Sequence, residues 1–268
     1  MTSDLDQATR ETLSTVATAT LTTVLLKKGL RNVWMRGAMP IRTGQKRVVG
    51  PAFTLRFVPA REDLATPASW ASPISTRAAI EAMPPGCVAV VDAMGITDAG
   101  IFGDILCERM RVRQVAALVT DGVIRDLAGV LRANLPTWSA GVAAPPSVAS
   151  LTFVAWQQPV GCGGVAIFPD DIIVADEDGA VVIPAGILDE VASEAAEQEQ
   201  YVSHQRRKQS PLPRLPQPPH QGGRLAGYWL VLTNIVNPFP IQFAQNPPNK
   251  ALTVTSILQF IEKKKKAT

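Results

Sequence analysis

The sequence predicts an α/β fold, and three observations carry that prediction. Two short apolar runs, Cys87 to Asp92 (CVAVVD) and Val115 to Thr120 (VAALVT), have the length and composition of buried strands. A helical run from Asp104 to about Arg113 lies between them, and another begins at Ile124-Arg125-Asp126. Turn residues mark the junctions: Gly100 and Gly103 precede the first helix, and Asp121-Gly122 ends the second strand.

The remaining elements follow in order. Residues 4–30 read as helical, with Leu13, Val16, Ala17, Leu21 and Leu25 at helix spacing. Thr18, Thr20, Thr22 and Thr23 lose rotamer freedom in a helix, so a turn or a new helix can begin among them. Lys46 to Phe57 is the first strong strand signal, interrupted at Gly50-Pro51. Thr54 and Arg56 alternate with Leu55 and Phe57, which predicts a half-buried strand or a bulged pair. Residues 59–73 read as loop, and Ile74 to Ala82 as a helix closed by Pro84-Pro85-Gly86. Beyond the central segment come a helix from Asp126 to Ala133 and a short strand within Leu135 to Ala140. Three short strands on tight turns then follow: Val165 to Phe168, Ile172 to Ala175 and Ala180 to Pro184. An amphipathic helix from Ile187 to about Gln200 closes a domain spanning 1–200. Residues 201–268 read as an atypical Pro-rich basic tail, a disordered or foreign appendage with an apolar patch at Trp229 to Val236.

The net charge of +3 conceals two halves. Residues 1–200 hold 16 Lys+Arg against 22 Asp+Glu, a balance of −6, and residues 201–268 hold 10 against 1, a balance of +9. A body of negative balance is a poor nucleic-acid binder. No stretch resembles a signal peptide, and no apolar run is long enough to span a bilayer. Cys87, Cys107 and Cys162 lack ligand or disulfide spacing, which fits a reducing, cytoplasmic setting.

The chemistry gathers between Gly95 and Asp126. Asp104 and Asp126 are separated by one helix-and-strand excursion, so both can face one crevice. Such an oxygen-only set suits magnesium, manganese or calcium better than zinc. Both histidines, His204 and His220, fall beyond residue 200, which excludes a histidine-rich metal centre or histidine base from the body. Arg125, at the mouth of a buried strand, offers a donor fork for a carboxylate or enolate oxygen. The helix start at Gly100 to Ile105 offers backbone N–H groups to a small carboxylate. Each residue also has an ordinary structural reading: Asp104 as a helix cap, Asp121 as a turn former, Arg125 in a surface pair with Asp126, and Cys107 as packing. Glu194, Glu197 and Glu199 read equally as solvated helix charges. GIFGD is not a dinucleotide fingerprint, and GxSxG and Walker patterns are absent from the sequence.

An ordered set of pieces resembles the RraA-like family, which includes the regulator of ribonuclease E activity and the class II 4-hydroxy-4-methyl-2-oxoglutarate/4-carboxy-4-hydroxy-2-oxoadipate aldolases. The pieces are VVGPAFTLRF near 49, GDIL at 103–106, VTDGVIRD at 119–126 and PVGCGGVAIFPDDIIVADEDGAVVIP at 159–184. The chain departs from the family's pattern at Gln114 and Ala117, where glycines are usual, and at Pro169-Asp170-Asp171.

The resemblance implies a compact α/β/α sandwich of the RraA-like, swivelling-domain-like type. It implies ring-shaped trimers or hexamers with sites between subunits. It implies direct Mg2+ or Mn2+ binding at Asp126 and binding through water at Asp104. Arg125 would contact the pyruvyl group, with Gly103 and the amides of Ile105, Leu106 and Cys107 around the substrate carboxylate. One of Glu194, Glu197 or Glu199 from a neighbouring subunit would complete the metal shell. The implied activity is a metal-dependent lyase on a small 2-oxo acid, an aldolase or oxaloacetate decarboxylase. The alternatives are a non-enzymatic regulator of an RNA-processing ribonuclease and a sugar-acid dehydratase. Arg56 or Arg36 is expected to read the far end of the substrate.

Overall fold

In the computed structural model, residues 5–208 are described. Helices α1 (Gln7–Thr15) and α2 (Thr18–Lys27) lead into strands β1 (Met39–Pro40) and β2 (Val48–Pro59). Then come α3 (Thr76–Ala82), β3 (Val88–Asp92), α4 (Asp104–Val112), β4 (Ala117–Thr120), α5 (Leu127–Ala133) and β5 (Thr137–Ser139). The last elements are β6 (Leu151–Trp156), β7 (Ile172–Asp176), β8 (Gly179–Ile183) and α6 (Leu188–Lys208). One mixed sheet runs in the order β1-β5-β4-β3-β2-β7-β8, with β6 also paired to β2. Its centre, β2 to β5, is parallel.

Alternation within the central strands builds the sandwich. Val88, Val90, Ala117 and Val119 face a core shared with Leu13, Leu21, Leu25, Val191 and Ala195, from α1, α2 and α6. Ala89, Val91 and Leu118 face the other core, with Ile80, Met110 and Val130 from α3, α4 and α5. Strands buried on both faces carry no polar side, which is why these runs are continuously apolar. The expected α/β sandwich is the observed one.

The threonines of α2 divide the first helical stretch as anticipated. Ala17 is an N-cap without a side-chain acceptor, so distant residues supply one. Thr18 donates its N–H (2.9 Å) and hydroxyl (2.7 Å) to Asp176, while Glu199 accepts from the Ala17 N–H (3.2 Å) and the Thr20 hydroxyl (2.5 Å). Thr22 and Thr23 return their hydroxyls to the Ala19 carbonyl.

Three expectations change. Gly50-Pro51 does not interrupt β2 but marks a change of partner: Pro51 is the last residue paired to β7, and Ala52 the first paired to β3. A proline, lacking an N–H, is tolerated where a ladder is handed over. The strand is also mostly buried, with its bulge at Arg56/Phe57 against β6. Val165 to Phe168 forms only an isolated bridge between Ile167 and Val160, because Gly161 to Gly164 fold into a tight turn; the strand of that region is β6. Helix α6 continues to Lys208, eight residues past its expected end. The rest of the expected tail, with His220 and the Trp229 patch, lies outside the described residues. Among the described residues, no helix is long and apolar enough to cross a membrane.

Candidate functional site

The parallel strands end at a crevice whose floor is set by tight backbone contacts. Residues 100–102 run beside 123–125: the Ile101 N–H donates to the Val123 carbonyl (2.9 Å) and the Arg125 N–H to the Phe102 carbonyl (2.9 Å). Only glycine fits at position 100, since a Cβ there would stand 2.6 Å from Arg125 Cβ and 2.9 Å from the Ala143 carbonyl oxygen. A Cβ on Gly103 would stand 3.2 Å from Arg125 Cγ and 3.8 Å from Asp126 Cβ, so the start of α4 lies directly on Arg125 and Asp126. On the far side of Asp104, a Cβ on Gly129 would be 3.0 Å from Asp104 Oδ2. Glycine in α5 therefore makes room for that carboxylate.

These contacts bring Gly103, Asp104, Ile105, Leu106, Arg125 and Asp126 into one cavity of about 310 Å³. Trp70, Thr76 and Arg77 also line it. A neighbouring cavity of about 490 Å³ is lined by Phe57, Leu151 and Phe153 and holds Asp63 as its sole ionisable residue, so the ionisable groups gather in the smaller cleft.

Asp126 is exposed and N-caps α5 from a left-handed conformation (φ 56°, ψ 49°). That region is uncommon outside glycine, and aspartate is among the few residues that visit it. Among the described residues its carboxylate accepts no hydrogen bond, and Arg125 makes no ion pair, so the two do not neutralise one another. Asp104 is the first residue of α4 rather than its cap; Gly103 holds the cap position. Its Oδ1 accepts from the Ile105 N–H (2.7 Å), leaving Oδ2 beside Gly129.

Of the three amides expected to hold a carboxylate, that of Ile105 is engaged by Asp104 and that of Cys107 donates to the Gly103 carbonyl (3.0 Å). Leu106 supplies the amide nearest the cleft without such a partner among the described residues. Cys107 is buried behind the cleft, and burial pushes its thiol up to about 12, as a packing cysteine requires. The Ile105 side chain is 79% exposed at the lip.

Asp121 has the structural role. Its Oδ1 accepts from the Ala93 N–H (2.8 Å) and its Oδ2 from the Gly163 N–H (3.0 Å), tying the ends of β3 and β4 to the glycine turn. Burial raises its pKa while the two N–H donors pull it back. Asp121→Ala is expected to leave both donors unmet and cost about 2–5 kcal/mol, since each buried orphan costs about 1–3 kcal/mol. Urea denaturation of the variant checks this, and an unchanged midpoint would remove the role.

In α6, Glu194 pairs with Lys28 (2.8 Å) and Glu199 caps α2, while Glu197 is exposed with no side-chain partner among the described residues. None of the three lines the cleft within one chain. Arg36 donates to the Gly163 carbonyl (3.3 Å), and Arg56 points outward from β2; neither lines the cleft. The second cleft arginine is Arg77, which the sequence reading missed together with Trp70 and Gly129.

Two aspartates supply only hard oxygen donors. Among the described residues, no group of three or more His, Cys, Asp or Glu side chains converges. A magnesium-like cation is commonly held by one or two carboxylates and several waters, so the pair fits such an ion and does not fit zinc.

Comparison with known proteins places this geometry in context. A family profile described as RraA-like, Aldolase/RraA, matches residues 14–182. The chain is 34% identical over 153 residues to a Halalkalibacterium halodurans protein provisionally named 4-hydroxy-4-methyl-2-oxoglutarate aldolase, covering 56% of this chain and 65% of that one. It is 30% identical over 154 residues to protein DlpA of Legionella pneumophila, covering 58% of this chain. It thus spans about a quarter of DlpA (24%) and just under two thirds of the Halalkalibacterium protein. The crystal structure of Streptomyces coelicolor RraAS2, described as an unusual member of the RNase ES inhibitor RraA protein family, superposes with a TM-score of 0.67 at 35% identity. That match covers 75% of this chain and 96% of RraAS2.

Proposed function

Because the chain belongs to the RraA-like family, we propose that its cleft binds a small 2-oxo acid and breaks a carbon–carbon bond to leave a pyruvate enolate. The observation that carries this reading is the convergence of Asp104, Arg125, Asp126 and the first turn of α4 on one cavity. The positive end of α4 and the Leu106 amide receive the substrate carboxylate. Arg125 donates its fork to the 2-oxo oxygen and gains most when that oxygen carries the enolate charge. Asp104, with one oxygen fixed by the Ile105 N–H, orients the water that takes the C4 hydroxyl proton as the C3–C4 bond breaks and the C4 carbonyl forms. The same water returns a proton to C3 of the enolate to give pyruvate; oxaloacetate loses carbon dioxide and needs only the second transfer. Asp126 and Asp104 would hold a magnesium or manganese ion, which when bound supplies Lewis-acid polarisation of the 2-oxo group. The reading extends to a trimeric or hexameric ring in which Glu197 of a neighbouring copy faces the site.

The test measures pyruvate release from oxaloacetate and from 4-hydroxy-4-methyl-2-oxoglutarate. With magnesium, release is expected; with chelator, it is expected to fall at least about a hundredfold, the scale of losing charge stabilisation at an enolate oxygen. Turnover that ignores the chelator would sink the metal assignment.

A second reading has its own support. The 35% identity to RraAS2 across nearly all of that chain favours a non-enzymatic regulator that binds an RNA-processing ribonuclease. Similarity to known proteins bears more on this reading, and the cleft bears more on the lyase. A stable complex with a ribonuclease of that class, unchanged in Asp126→Ala and accompanied by no pyruvate release, would establish the regulator instead.

A further inference from the structure

We propose that Arg77 is a specificity-determining residue that reads a second, distal carboxylate of the substrate; the inference rests on the 2-oxo acid reading above. Arg125 and Arg77 both line this cavity, one from the segment after β4 and the other from α3. The Arg77 guanidinium lies 5.8 Å from the centroid of the Trp70 ring, which also lines the cleft. A cation–π contact over the indole restrains the guanidinium without consuming its N–H donors, which stay available to a carboxylate.

Exposed arginines without an acidic partner among the described residues include Arg31, Arg42, Arg56 and Arg132, none of which lines the cleft; three others are paired. Arg61 pairs with Asp63, Arg109 with Glu81 and Arg111 with Glu108. Among the described residues, Arg77 has no acidic partner, although Asp104 and Asp126 line the same cavity. The charge balance points the same way. Two arginines and two aspartates leave the cleft neutral, and a divalent cation leaves it at +2, which a dianion matches. A monocarboxylate would occupy the Arg125 end and leave the Arg77 fork unmatched, whereas a 2-oxo dicarboxylate satisfies both. Thr76 adds a hydroxyl to the same lining.

Calorimetric titration of magnesium-loaded protein with pyruvate and with 2-oxoglutarate isolates the effect, since both share the 2-oxo carboxylate end and only one has a distal carboxylate. In Arg77→Ala, 2-oxoglutarate is expected to bind roughly 10- to 50-fold more weakly, the scale of a lost bidentate charge-assisted contact, and pyruvate within about twofold of the unaltered protein. Arg77→Lys is expected to recover part of the loss, because it restores charge without the fork. Equal weakening of both ligands, or of neither, would overturn the assignment while leaving the cleft reading intact. Failure of the unaltered protein to bind either ligand would overturn the cleft reading and this inference with it. Arg77 is exposed on α3, so its replacement leaves the core untouched.

Discussion

Arg125→Ala is expected to lower pyruvate release by about 10²- to 10³-fold, the cost of removing one donor aimed at a developing oxyanion. Its backbone is fixed by the bond to the Phe102 carbonyl and by the close approach of Gly100, and neither contact depends on the guanidinium. The charged end makes no ion pair among the described residues and the side chain is half-buried outside the packed core, so stability should change by about 1 kcal/mol or less. Activity and folding therefore separate at this position. Arg125→Lys should recover only a fraction, since an ammonium restores the charge at the 2-oxo oxygen without the fixed planar donor geometry. Steady-state kinetics with parallel thermal melts check both halves. Normal turnover in Arg125→Ala would remove this residue from the chemistry.

A large expected effect on stability, matching that of Asp121→Ala, lies elsewhere. Gly163 adopts φ 60°, and a Cβ built there would stand 2.5 Å from the Arg36 nitrogen and 2.8 Å from its carbonyl oxygen. These are backbone atoms that cannot rotate away. Gly163→Ala is expected to cost about 2–5 kcal/mol, combining about 1–2 kcal/mol for the left-handed backbone with about 1–3 kcal/mol for overpacking. It would also disturb the Gly163 N–H that meets Asp121. Gly161→Ala is the control: its φ is −113° and the added carbon would meet Asp92 Oδ2 at 3.7 Å, an ordinary contact. Chemical denaturation of the two variants should separate them clearly, and similar midpoints would refute the steric account.

Much of this fold could be read from the chain because the central strands are buried on both faces. Val88 to Val91 and Ala117 to Thr120 carry no polar alternation to confuse the reading, and α4 and α5 begin at unmistakable turns. The cleft triad was accessible for the same reason, since one helix and one strand bring Asp104 back to Arg125 and Asp126. What escaped depends on tertiary contact. The segment carrying Trp70 has no periodicity, and nothing local says that it faces α4. Gly129 resembles any glycine in a helix until Asp104 is seen lying against it. Strand β6 was passed over because its neighbours' glycines drew the assignment forward to Val165. The amides assigned to the substrate by resemblance differ in their partners, Ile105 meeting the Asp104 carboxylate and Cys107 the Gly103 carbonyl, a matter of hydrogen-bond geometry rather than residue type.

The capping of α2 by Glu199 fixes where the folded unit can be cut. The family match stops at Val182, and every cleft-lining residue lies before it. A truncation at that boundary would nonetheless remove the acceptor for the Ala17 N–H and the Thr20 hydroxyl, the Glu190 and Glu194 partners of Lys28, and Val191 and Ala195 from the core. Helices α1 and α2 are thus completed by α6, the last described helix. The shortest autonomous length is expected to be set by that clasp and to extend through Glu199, well past the end of the family-profile match.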